Sequence, residues 1–230
     1  MDNLPLTRYG STKFGSKFFL RQAVRLIDCS WFSGLAEIAL LGDEVLLEMG
    51  TAKEYVNCTE KDFSMSGFYF FETDHKLPWI GIYLREVYKG VPFPFSLTPV
   101  ITILIGRVLA HEVVHHRLRQ SQRVILDSTR EEVLAEAFAR RFEIKICRNW
   151  WFRIWRSTIE TISKWHFISG SAHYRSKDFQ KAEQSFYNAW LLDNGNIDAA
   201  TWFWQVRGIL QKSEQHKQPT SPRTNAPSRN

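Results

Sequence analysis

Two histidines and a glutamate stand together in His111-Glu112-Val113-Val114-His115, an HExxH pentapeptide. Residues four apart on an α-helix share a face, so on a helix both imidazoles reach one metal ion, and Glu112 projects beside them toward the open coordination position, where it can act as a general base. A catalytic zinc takes three protein ligands and keeps a fourth position for water. The HExxHxxGxxH continuation would need Gly at 118 and His at 121, and HExxHxxxH would need His at 119. The chain has Leu118, Ser121 and Arg119 instead, so neither continuation supplies the third ligand.

A second acidic stretch supplies one. In STREEVLAEAFARRFEIKI, Glu132 and Glu136 are four apart and Ala135 and Ala139 form an adjacent stripe, small enough for two helices to approach closely. Ser128 and Glu131 have the S/T-x-x-E spacing of a capping box. With Glu131 occupied there, Glu132 is the carboxylate best placed as third ligand, and Glu136 is placed to accept a hydrogen bond from the second ring nitrogen of a ligating histidine. Glu131, Glu136 and Asp127 are the alternative ligands. His116, five positions from His111, is expected to point away from the metal, toward solvent or behind a ligand, and His75 reads as a turn residue.

The elements that must position these groups are legible in part. TPVITILIGRVLAHEVVHHRLR (98–119) opens with Thr98 as N-cap and Pro99 at the first helical position, and Leu109-Ala110 with Val113-Val114 give the face opposite the histidines an apolar surface to bury. A short link, 120–127, leads to the second helix. Upstream, GFYFFE (67–72) and WIGIYLREVY (79–88) predict two strands joined by the turn TDHKLP, the second with the stronger alternation. EIALL and EVLLEM, around Gly42-Asp43, fit a further hairpin or a broken helix.

AHEVVHH followed by EVLAEAFA resembles the gluzincin metallopeptidases, with the HExxH plus ExxxD/N pattern of HtpX and CAAX-prenyl-protease relatives and of ImmA/IrrE-like peptidases. The resemblance covers about residues 79–145. It implies a zincin-like fold, Zn2+ held by His111, His115 and Glu132, Glu112 as general base and Glu136 supporting a ligand from behind. It also implies that Trp79, Ile80, Gly81, Ile82, Tyr83 and Leu84 form an edge strand on which an extended substrate adds its backbone. Glu136 stands where those families usually have Asp or Asn, and only 16 residues separate His115 from Glu132.

From Arg148 onward the sequence reads as helical. Trp151, Trp155, Ile159, Ile162 and His166 follow helical spacing and predict a buried face. A membrane-surface helix, with Arg148, Arg153 and Arg156 beside Trp150, Trp151 and Trp155, is the alternative. GSAHYRSKDFQKAEQSFYNAWLLDNGN (170–196) resembles one tetratricopeptide (TPR) repeat through Gly170, Tyr174, Ala182, Phe186 and Ala189, and residues 197–210 fit the first helix of another. The stretch from Gln211, rich in Ser, Pro, Gln and Asn, reads as a disordered tail.

Composition sets the remaining bounds. The 230 residues are 44% hydrophobic and 23% charged, which is globular. Cys29, Cys58 and Cys147 are odd in number and widely spaced, matching neither a disulfide framework nor a CxxC clip, so a reducing compartment is expected. No apolar run approaches the length of a membrane span and no signal peptide is read in the basic segment 1–30. Of the net charge of +6, half falls in the last 20 residues. Residues 117–156 hold ten Lys or Arg against five acids, a stretch read as a solvated surface rather than a nucleic-acid site.

The expectation is therefore an α+β protein. A zincin-like domain (31–147), with a small antiparallel or mixed sheet and an active-site helix, follows the N-terminal segment (1–30) and precedes an all-α, TPR-like extension (148–210) and a tail (211–230). Its expected activity is that of a cytoplasmic zinc endopeptidase acting on a peptide or protein, with room for a protein partner on the extension. The rivals are a catalytically inactive interaction module and a DNA-associated regulator using the basic 117–156 stretch.

Overall fold

A computed structural model describes residues 4–9, 15–42, 67–70, 77–121 and 128–215. Cys58, His75, Asp127, the EVLLEM segment, the turn before Leu77 and residues 216–230 lie outside them. Among the described residues the architecture is mixed α+β, with four strands in one sheet and seven α-helices, and is mostly helical. The chain forms two compact units, 1–160 and 161–230. They divide inside a helix.

In the first unit, β1 (Leu6–Tyr9), β2 (Glu37–Leu41), β3 (Gly67–Phe70) and β4 (Trp79–Tyr83) form a sheet of order β1-β2-β4-β3. β1, β2 and β4 run parallel and β3 is antiparallel to β4. The register sets Ile38 beside Ile80 and Leu40 beside Ile82, and all four are fully buried. Ala39, Leu41 and Tyr83 bury the other face with Phe68 and Trp79. Apolar cover on both faces explains why EIALL shows no alternation, and within the described residues it is a strand. The strand expected over 79–88 stops at Tyr83, and Leu84–Tyr88 forms helix α2. Leu84, Val87 and Tyr88 are buried at spacings of three and four, a helical pattern, and the Tyr88 hydroxyl lies 3.2 Å from Ser16 Oγ on α1 (Ser16–Leu26).

Helix α3 (Pro99–Ser121) packs against α1, β3, β4 and α4 (Ser128–Ile146), so residues 100–106 are buried all round. It begins as expected: Val100 N–H donates to Thr98 Oγ1 at 3.4 Å. Ala135 and Ala139 are buried, in keeping with close approach of the two helices. Gly106 contributes as well, because a Cβ there would come within 2.7 Å of the Phe142 ring. Helix α5 (Trp150–Arg175) starts in this unit, where Arg156 pairs with buried Glu143 of α4 and Ile159 is buried. The face expected to be buried along α5 is buried at Ile159, Ile162 and His166, half-buried at Trp155 and exposed at Trp151. Among the described residues no helix is long and apolar enough to cross a membrane.

The second unit contains the end of α5, α6 (Phe179–Leu192) and α7 (Ile197–Gln215). Asp178 caps α6 by accepting from Lys181 N–H at 3.3 Å. Ala182, Phe186, Tyr187, Phe203 and Val206 form the core, with Tyr174 and Trp202 packed on it. Gly170 is needed for this approach, since a Cβ would lie 2.8 Å from the Phe186 ring. Helix α7 runs to Gln215, five residues into the stretch read as tail.

Candidate metal centre

Helix α3 presents His111 and His115 on one face, their Nε2 atoms 3.3 Å apart. Glu132, in the first turns of α4, spans both: one carboxylate oxygen is 3.1 Å from His111 Nε2 and the other 3.4 Å from His115 Nε2. Tetrahedral zinc with bonds of about 2.0–2.1 Å has donor–donor edges of about 3.3 Å, and each Nε2 stands near that spacing from the other and from one Glu132 oxygen, with one ligand atom from each residue inside 4.8 Å of the others. Two neutral imidazoles and one carboxylate are a borderline donor set that suits zinc. Of the sequence candidates for third ligand, the structure brings Glu132 to the pair of Nε2 atoms; among the described residues this is the one His/Cys/Asp/Glu cluster with ligand spacing.

Carboxylates stand behind both rings. Glu136 lies 3.8 Å from His111 Nδ1, the supporting position expected for it. Glu131 lies 3.8 Å from His115 Nδ1 and is itself held by Arg119 at 3.2 Å. Sequence reasoning assigned Glu131 to a capping box and missed this role; the Ser128 side chain lies outside the described ones. The available signal was the face that Glu131, Glu132, Ala135 and Glu136 share at helical spacing. A proton on each Nδ1, facing a carboxylate, leaves each Nε2 lone pair for the shared point between the rings.

Glu112 is buried against β3, where the Tyr69 backbone N–H donates to its carboxylate. Gly67 makes the approach possible: a Cβ would stand 2.5 Å from Val108 Cγ1 and 3.2 Å from Glu112 Cγ. Burial pushes the Glu112 carboxyl up to about 7, against the pull of the His111 charge, and the neighbouring Glu132 charge adds to the rise. Burial draws the metal-free His111 imidazole down, but Glu132, Glu136 and Glu112 together outweigh it and raise it to about 10. Burial lowers His115. His111 hydrogen bonding holds the Glu132 and Glu136 carboxyls below their ordinary range.

His116 is neither solvated nor a ligand. It is fully buried, with Nε2 2.9 Å from the Ser33 carbonyl and Nδ1 3.3 Å from the Tyr69 hydroxyl. A carbonyl only accepts, so Nε2 carries the proton and Tyr69 donates to Nδ1. His116 thereby fastens α3 to the strand that orients Glu112.

The expected substrate strand is corrected. Trp79, Ile80, Gly81, Ile82 and Tyr83 form an interior strand paired with β2 on one side and β3 on the other, so its backbone groups are committed to the sheet. Leu84 belongs to α2. The HExxH spacing carries no information about sheet order, which is why the edge was misassigned.

Comparison of the chain with known protein families, with curated proteins and with solved structures finds no match.

Proposed function

We propose that the first unit is a zincin-like metallopeptidase domain and that the chain is a zinc-dependent endopeptidase. The observation that carries this reading is the triangle of His111, His115 and Glu132 donors with the buried carboxylate of Glu112 one residue from the first ligand. A zinc ion held by His111, His115 and Glu132 would supply Lewis acidity for peptide hydrolysis. Glu112 is the group that would take a proton from the attacking water and return it to the leaving amine. Burial holds its carboxyl above the ordinary carboxylate range in the metal-free chain. The Tyr69 N–H fixes which way the carboxylate points. Glu136 and Glu131 keep the two imidazoles turned toward the shared point. The helical packing of Tyr174, Ala182 and Phe186 supports a TPR-like reading of the second unit, suited to holding a protein partner.

The test is cleavage of a mixed peptide library by the zinc-loaded chain beside Glu112→Gln. Cleavage that falls about a hundredfold or more in the variant, at unchanged zinc content, is the expected result. Equal cleavage by both proteins overturns the mechanism, and no cleavage by either favours an inactive interaction module.

A further inference from the structure

The corner between α4 and α5 leaves a set of large apolar side chains in water. Trp150 is 68% exposed and Ile154 52%, on the side of α5 opposite buried Ile159, and Trp151, flanking them, is 45% exposed. The two indoles touch edge to face at 5.8 Å. On the outer face of α4, immediately before the corner, Ile144 is 65% exposed. Exposed large hydrophobics scattered singly need no explanation, but several gathered at one helix junction mark an interaction surface.

The charge around them has one sign. Arg140, Arg141, Lys145, Arg148 and Arg153 are exposed. Between Arg140 and Ile159 the sole acid is Glu143, which is buried and bound to Arg107 and Arg156. Asp28 faces Lys145, Glu136 faces Arg140 and Glu160 holds Arg156, which still leaves a cationic excess at the corner. Indoles flanked by cations suit the water–lipid boundary: the ring enters the headgroup layer with its N–H still solvated, and the cations meet lipid phosphate and carboxylate. A nucleic-acid backbone would satisfy the cations but leave Trp150, Ile154 and Ile144 without apolar cover.

We propose that the α4–α5 corner, with Trp150, Trp151 and Ile154 inserted and Arg140, Arg141, Lys145, Arg148 and Arg153 around them, docks on the surface of an anionic lipid bilayer. The docking is peripheral and independent of whether the metal centre hydrolyses anything.

The experiment is co-sedimentation of the full chain with vesicles of phosphatidylcholine alone and with about 30% phosphatidylserine, at low and physiological salt. Wild type is expected to bind the anionic vesicles and not the neutral ones. Trp150→Ala with Trp151→Ala, both surface changes, should weaken binding by about tenfold or more. Arg141→Ala and Arg148→Ala should each weaken it by about fivefold, less at higher salt. Anionic-vesicle binding untouched by the double tryptophan change overturns the insertion claim. Tighter binding to a DNA duplex than to the vesicles overturns the choice of partner. No binding to anionic vesicles overturns the proposal outright and points to an acidic protein segment as occupant, such as residues 43–66 with six acids against two lysines.

Discussion

Replacing Gly67 by alanine adds one methyl group between β3 and α3 at a place with no room for it. The added carbon would stand 2.5 Å from Val108 Cγ1, 3.2 Å from Glu112 Cγ and 3.2 Å from the Gly81 carbonyl. Carbon pairs are most favourable at about 3.5–4.0 Å, so the first contact requires a shift of about 1 Å by a stiff β-branched side chain or by the strand. Overpacking of this kind costs about 1–3 kcal/mol, which for a chain of this size lowers Tm by about 2–4 °C per kcal/mol. The strand that must move is the one whose Tyr69 N–H orients Glu112, so hydrolysis should suffer while zinc content stays the same, the ligands being on α3 and α4. Val108→Ala removes the clashing methyl groups and should rescue Gly67→Ala. A double-mutant cycle read by thermal and urea unfolding should give a favourable coupling of about 1 kcal/mol or more. An unchanged Tm for Gly67→Ala, or strictly additive single changes, would refute the proposed contact between β3 and the active helix.

Further outcomes follow from the same geometry. His116→Ala should lower stability by about 2–4 kcal/mol, because it removes partners of the Ser33 carbonyl and the Tyr69 hydroxyl and leaves a cavity, yet leave zinc stoichiometry intact; zinc titration beside urea unfolding separates the two effects. Glu131→Gln should weaken zinc binding by about tenfold to a hundredfold through His115, measurable by competition with a chelator, whereas no change would place Glu131 outside the site's support. The metal-free chain should lose stability from about pH 7 to about pH 9: His111, raised to about 10 in the folded chain, binds a proton there that the unfolded chain has released, so the folded state is favoured less as pH rises. Zinc displaces that proton, and the loaded chain should lack the slope. Urea midpoints that rise over this range in the metal-free chain would contradict the His111 environment.

How much of this was legible in the sequence depended on whether the information was local. The HExxH helix, its Thr98-Pro99 start, the Ala135 and Ala139 contact stripe and the placement of Glu132 all rest on helical periodicity, which one strand of sequence carries in full. Sheet order does not. WIGIY has the apolar run of a strand buried on both faces, and its interior place between β2 and β3 depends on pairing with residues 42 positions away in β2 and 9 to 15 positions away in β3, which periodicity cannot reveal. Glu131 and His116 were misjudged for a related reason, since their partners, Arg119, Ser33 and Tyr69, lie on other elements. For Trp151, helical spacing with Trp155 and Ile159 favoured a buried face, and the structure leaves it 45% exposed at the start of α5 while Ile159 is buried.

The central claim is that His111, His115 and Glu132 hold one metal ion. Its most direct test is the metal content of the purified full chain by plasma mass spectrometry, beside His111→Ala and Glu132→Ala of equal helix content. The account predicts close to one zinc per chain, lost in both variants. A folded wild type that carries no metal and takes up none when zinc is added would contradict it.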